Sequence, residues 1–164
     1  RFEKEKMEKN HCCSCKKGKL SVVGTGPGSL EYITPAARNA LEGADIIVGY
    51  DTYLALIEDI TVGKEVLSSK MMQEVDRVKS AFELAEAGKH VALVSGGDPG
   101  IYAMAGLVYE IAREKDSDVD INVVAGIAAL NGCAERLGAP LMHDFAAISL
   151  SDLLTPWELI EKRI

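Results

Sequence analysis

The sequence predicts an α/β domain built on a largely parallel sheet with helices on both faces. From Leu20 onward, short β-branched runs alternate with longer stretches of helical period. The clearest run, His90 to Ser95 (HVALVS), reads as a buried strand. Three of the runs end at once in glycine-bearing loops, GTGPG, GGDPG and AG, which can continue neither strand nor helix.

The elements follow in order. Leu20 to Val23 (LSVV) is a buried strand. Thr34 caps a helix to about Glu42, with Pro35 at a first-turn position where its missing N–H costs nothing. Asp45 to Val48 (DIIV) is a second strand, followed by Gly49-Tyr50-Asp51 and an apolar helical turn, YLALI. Glu65 to Leu67 reads as a short strand. Met72 to Ala87 carries Val75, Val78, Phe82, Leu84 and Ala85 near helical spacing, and Gly88 is its stop. After HVALVS and its loop come a helix from Ile101 to about Lys115, a strand from Asp120 to Val124, and a helix from Ile127 to Leu137 that ends at Gly138-Ala139-Pro140. Ala146 to Leu150 reads as a further strand, and TPWELIEKRI opens a helix with Pro156 at its first position.

The chain divides into a charged, cysteine-containing leader (1–18), the α/β domain (19–150) and the start of a connecting helix (151–164). Its 164 residues suffice for one core. No apolar run nears the roughly 18 to 20 residues of a membrane span, and RFEKEKMEKN lacks the apolar core of a secretory signal, so the expected location is cytoplasmic. A net charge of −7 argues against general nucleic-acid binding. Cys12, Cys13 and Cys15 beside His11 are too crowded for a disulfide framework. Two adjacent ligands also fit poorly around one tetrahedral ion, so no metal is assigned. Cys133 is expected to pack in a helix face as a small hydrophobe.

In a parallel sheet, loops that follow strands share one edge, and ligands bind there. The three glycine loops are therefore expected to line one cleft although roughly 70 to 100 residues separate them. GTGPG resembles a dinucleotide-binding loop only in part. Ser29 stands where the fingerprint GxGxxG wants its third glycine, and Pro27 removes an N–H that a phosphate would need. Asp51, placed to hold a ribose, keeps a nucleotide-binding oxidoreductase open as an alternative. A non-catalytic remnant kept for oligomer contacts is a third.

Three segments carry a family resemblance: VVGTGPGSLEYITPAARNALEGADIIVGYDTY, ALVSGGDPGIYAMAGLVYEI, and VVAGIAALNGCAERLGAPLMHDFAAISLSDLLTPWELIEKRI. Together they resemble the tetrapyrrole (corrin and porphyrin) methylases. GAPL, HDF and ISLSDLLTPWE, with VGYDTYLALI, point within that family to the cobalamin-pathway branch acting at carbon 17 of a precorrin-3 type ring. The resemblance implies the N-terminal domain of a fold distinct from the Rossmann methyltransferases. It also implies methyl transfer from S-adenosylmethionine, leaving S-adenosylhomocysteine, with ring contraction of a tetrapyrrole substrate, in a homodimer. Position by position, it implies cofactor contacts at Gly24, Gly26, Pro27, Gly28, Gly96, Gly97, Asp98, Ile101, Ala128 and Ala129. Ala125 departs from the proline usual before the third glycine motif. Tyr50 and Asp51 match positions where related methylases present a polar group to substrate, and His143 is a further candidate for proton handling. A substrate rich in carboxylates calls for a local basic patch, for which Lys64, Lys70 and Arg136 are the candidates.

Overall fold

Five parallel strands set the frame: β1 (Lys19–Gly24), β2 (Ile46–Tyr50), β3 (Glu65–Ser69), β4 (His90–Ser95) and β5 (Asp120–Val124). In this computed structural model, which describes residues 18–150 and 155–164, they form one sheet of order β3-β2-β4-β1-β5. The helices are α1 (Pro35–Glu42), α2 (Asp51–Ala55), α3 (Glu58–Thr61), α4 (Glu74–Glu86), α5 (Met104–Glu114), α6 (Ala129–Leu137) and α7 (Trp157–Glu161).

The two-residue period of a strand sorts the core into two layers. Leu20, Val22, Val91 and Leu93 point to one face and meet Val78, Phe82 and Ala85 of α4 and Val108 and Ile111 of α5. Val23, Ala92, Val94 and Ile47 point to the other and meet Ala37 and Leu41 of α1 with Leu54, Ile57 and Ile60. Helices thus cover both faces, which is why the central strands are almost continuously apolar, buried Ser21 of β1 being satisfied by the His90 ring at 3.0 Å. Burying Phe82 completely contributes about 2 to 3 kcal/mol. Thr34 caps α1 as expected, its Oγ1 accepting from the Ala37 N–H at 3.1 Å.

Several boundaries differ from expectation. The helix expected from Ile101 begins at Met104, because Tyr102 takes a left-handed φ of 50° that no helix accommodates. Ile101 and Tyr102 are thereby left outside the helix. The helix expected from Ile127 begins at Ala129, Ala128 being its extended N-cap. The helix expected from Met72 begins at Glu74, since Met72 has φ 67°, and Val75 is exposed. Ala146 to Leu150 forms no strand; the segment is tied down by the Tyr102 hydroxyl, which donates to the Ala147 carbonyl at 2.8 Å. Pro156 is the N-cap of α7 rather than its first residue. Cys133 is exposed, not packed, because α6 buries none of its residues. Cys12, Cys13, Cys15 and His11, the leader to residue 17, and residues 151–154 lie outside the described residues.

Candidate functional site

β1 lies between β4 and β5, so the loops leaving the carboxyl ends of these three strands are neighbours. Their contact is backbone against backbone. Gly26 and Gly97 form an antiparallel bridge, Gly26 N–H donating to the Gly97 carbonyl at 3.2 Å and Gly97 N–H returning to Gly26 at 2.8 Å. A Cβ on Gly24 would lie 2.7 Å from both Gly126 N and Gly97 O. Only glycine permits this approach. Asp98 closes the junction. Its Oδ1 accepts from Gly100 N–H at 2.8 Å and its Oδ2 from Gly126 N–H at 3.1 Å, clamping the second loop to the third.

Above this junction opens a cleft of about 510 Å³. Of the ten positions expected to contact a cofactor, Gly26, Pro27, Gly28, Gly96, Gly97, Asp98, Ile101, Ala128 and Ala129 line it. Gly24 does not; it lies in the three-loop contact. Tyr53, Leu56, Tyr102, Leu130, Ala147 and Ile148 complete the wall, and sequence reasoning did not identify them. A left-handed Tyr102, which only the fold discloses, and the failed strand at Ala147 account for half of these.

The other expected residues are dispersed. Tyr50 ends β2 and lines a neighbouring cavity of about 240 Å³. Asp51 is exposed at the start of α2, and His143 is exposed in the irregular segment before Ala147; neither lines the cleft. Lys64 lines neither the cleft nor the cavities beside it, and its Nζ donates to the carbonyls of Glu42 at 2.6 Å and Ala44 at 2.9 Å, at the carboxyl end of α1. Arg136 lines a separate groove of about 690 Å³ along α6 with Pro27, Gly132 and Cys133. Lys70 lines none of these three spaces. Beside that groove the Tyr32 hydroxyl donates to both oxygens of Glu135, at 2.8 and 2.6 Å, and this bond raises the phenol above its usual 10.0.

The donor inventory limits what the cleft can hold. Thr25 N–H is spent on Ser95 O, Gly26 and Gly97 N–H on each other's carbonyls, Gly100 and Gly126 N–H on Asp98, and Pro27 has none. A phosphate cradle needs several such groups free and converging. Nor does the first loop open directly into a helix, since a 3-10 turn (Leu30–Tyr32) precedes α1. The first-turn N–H groups of α6, at Ala129 and Leu130, are by contrast unspent within their helix and lie on the cleft wall. The cleft therefore combines a largely apolar wall with free donors at the N-terminus of α6 for one polar or anionic group. Among the described residues no metal-ligating cluster occurs, and no helix is long and apolar enough to cross a membrane.

This parallel sheet with its glycine junction defines a class, and the comparisons agree. Residues 19–164 match the model of the Tetrapyrrole (Corrin/Porphyrin) Methylases, and the chain belongs to that family. It is 54% identical over 152 residues to the cobalt-factor III methyltransferase of Priestia megaterium, covering 90% of this chain and 28% of that protein. It is 52% identical over 145 residues to the probable cobalt-factor III C(17)-methyltransferase of Salmonella typhimurium, covering 88% of this chain and 60% of that protein. Among solved structures it resembles the methyltransferase CobJ, with a TM-score of 0.81 and 40% identity over 89% of this chain and 62% of that one. The chain thus spans less than two thirds of the length of these relatives.

Proposed function

We propose that the chain carries the cofactor half of an S-adenosylmethionine-dependent methyltransferase acting at carbon 17 of a precorrin-3 type tetrapyrrole in cobalamin biosynthesis, with ring contraction. The observation that supports this best is the glycine junction beneath a largely apolar cleft, in a chain of the methylase family. Names carried by the relatives in Priestia megaterium and Salmonella typhimurium supply the substrate class. A second α/β domain and a cytoplasmic homodimer are the arrangement the family resemblance implies.

In this reading the three loops hold the cofactor. Pro27, Leu56, Ile101 and Leu130 give it apolar walls, and Ala128 and Ala129 let it approach the backbone of α6. The N–H groups of Ala129 and Leu130 are the donors for its polar end. When bound, S-adenosylmethionine supplies an electrophilic methyl group on a sulfonium for in-line displacement by an electron-rich carbon. The protein's task is then alignment and exclusion of water, which the cleft wall and the Tyr102–Ala147 latch perform. Asp98 acts through geometry, since both of its oxygens are engaged by backbone N–H groups. Tyr50, Asp51 and His143 are the candidates for moving a proton during contraction.

The test is calorimetric titration of the chain with S-adenosylhomocysteine, beside a nicotinamide dinucleotide. Micromolar binding of the first alone, roughly −8 kcal/mol, is expected. Binding of the dinucleotide alone would overturn the reading.

A further inference from the structure

The cavity of about 240 Å³ shares Tyr53, Gly96, Ile101 and Tyr102 with the main cleft, and its own wall includes Tyr50, Glu74 and Arg77. Arg77 is only 5% exposed. Its guanidinium is held in place: Nε donates to Ser69 Oγ at 2.6 Å and Nη2 to the Lys70 carbonyl at 3.0 Å. Ser69 in turn donates to the Gly49 carbonyl at 3.4 Å, fixing the group to β2. The guanidinium carbon stands 5.9 Å from the Tyr50 ring centroid, and Tyr53 meets Tyr50 edge to face at 5.4 Å.

What this cation lacks is a direct ion pair. The side-chain ion pairs among the described residues join Arg38 to Glu42 and Lys115 to Glu86, and none reaches Arg77. Glu74, one turn earlier on α4, spends Oε1 on the Met72 N–H at 3.3 Å. A guanidinium has five N–H donors, and only two bonds are made here. No fully buried side-chain nitrogen among the described residues is unpartnered, so Nη1, which makes neither of these bonds, is not fully buried, and Arg77 lines the cavity. A buried, immobilised and unpaired cation is costly unless an anion completes it, and a planar fork matches a carboxylate best.

We propose that Arg77 is the anchor of a carboxylate subsite, and that the small cavity receives a side-chain carboxylate of the tetrapyrrole. The proposal rests on the methyltransferase reading above and supplies a basic contact next to the main cleft. Both ligands of that reaction carry carboxylates. The cavity shares the loop after β4 with the cofactor cleft, but its remaining wall comes mainly from β2, α2, β4, α4 and α5, and the loops after β1 and β5 take no part; the ring is favoured because Arg77 and Tyr50 lie on this far side.

The chain and its Arg77→Gln and Arg77→Lys variants are titrated with uroporphyrin III, which bears acetate and propionate arms, by fluorescence, and with S-adenosylhomocysteine by calorimetry. Arg77→Gln should weaken porphyrin binding at least tenfold, Arg77→Lys should restore part of it, and S-adenosylhomocysteine affinity should stay within twofold. Loss confined to S-adenosylhomocysteine would assign the carboxylate to the cofactor and overturn the proposal, as would no change in either. An unaltered chain that binds S-adenosylhomocysteine but no porphyrin would overturn the proposal alone, and one that binds neither would overturn the cofactor-half reading with it. A measurement independent of the variants' folding follows the Arg77 Nε–H resonance of the unaltered chain during titration with sodium propionate. It should shift, and a resonance that stays still overturns the proposal.

Discussion

Replacing Gly126 by alanine tests the three-loop junction directly. A Cβ at this position would overlap the Gly97 carbonyl oxygen and stand 2.8 Å from Gly24 C and 2.9 Å from Gly24 Cα. Carbon atoms in contact prefer about 3.5 to 4.0 Å, so the neighbours would have to retreat by roughly 0.6 Å or more. All three are backbone atoms and cannot turn aside as a side chain would. Overpacking of this kind costs about 1 to 3 kcal/mol. Displacing Gly126 also weakens its bond to the Asp98 carboxylate, worth about 1.5 to 3 kcal/mol. A net loss of about 3 kcal/mol is expected, or roughly 6 to 12 °C in Tm for a domain of this size. Urea unfolding measures it. Gly106→Ala on α5 is the control, because nothing lies within 4 Å of its Cβ; there alanine should gain about 0.5 to 1 kcal/mol. A Gly126→Ala protein within about 0.5 kcal/mol of the parent would refute the argument that close backbone approach forces glycine here.

Two further outcomes follow from the hydrogen bonds. Asp98→Asn leaves one acceptor oxygen for two N–H groups and should cost about 1 to 3 kcal/mol in urea unfolding, with weaker S-adenosylhomocysteine binding; unchanged stability with lost binding would show Asp98 to contact ligand rather than clamp loops. For Tyr32, the hydrogen bond to Glu135 favours the protonated phenol and raises its titration midpoint above 10.0. The stabilisation is complete below the unfolded value near 10 and disappears as pH rises through the higher folded value. Phenolate absorbance should therefore show a late-titrating tyrosine that is missing from Tyr32→Phe, and an identical titration curve would show that the bond does not hold in solution.

How legible the molecule is in its sequence depends on the range of the interaction concerned. Periodicity and glycine punctuation suffice for the five strands and for α1, α4 and α5; the three helices and the central strands each bury a continuous stripe, and the edge strands β3 and β5 are marked by composition and turns. Boundaries fail where a distant contact overrides local preference. Ile101 looks like a helix start, yet Tyr102 turns left-handed there and its hydroxyl reaches Ala147. Ala146 to Leu150 has strand composition but finds no strand to pair with among the described residues. The convergence of the glycine loops is readable because strand ends of a parallel sheet share an edge. Arg77 is not. Between Val75 and Val78 it reads as one more solvated helix position, and only tertiary packing buries it under Tyr50.

The glycine junction also bears on how the chain acquires its fold. Gly24, Gly97 and Gly126 are far apart in sequence, and β1 lies between two strands that are both made after it. Such pairings raise contact order and delay the rate-limiting step until the last partner is available. During synthesis, which proceeds from the N-terminus, β1 can pair on one edge once β4 emerges, but its other edge waits for β5 and the junction waits for Gly126. The cleft therefore cannot mature piecemeal, and ligand binding reports completion of the whole sheet.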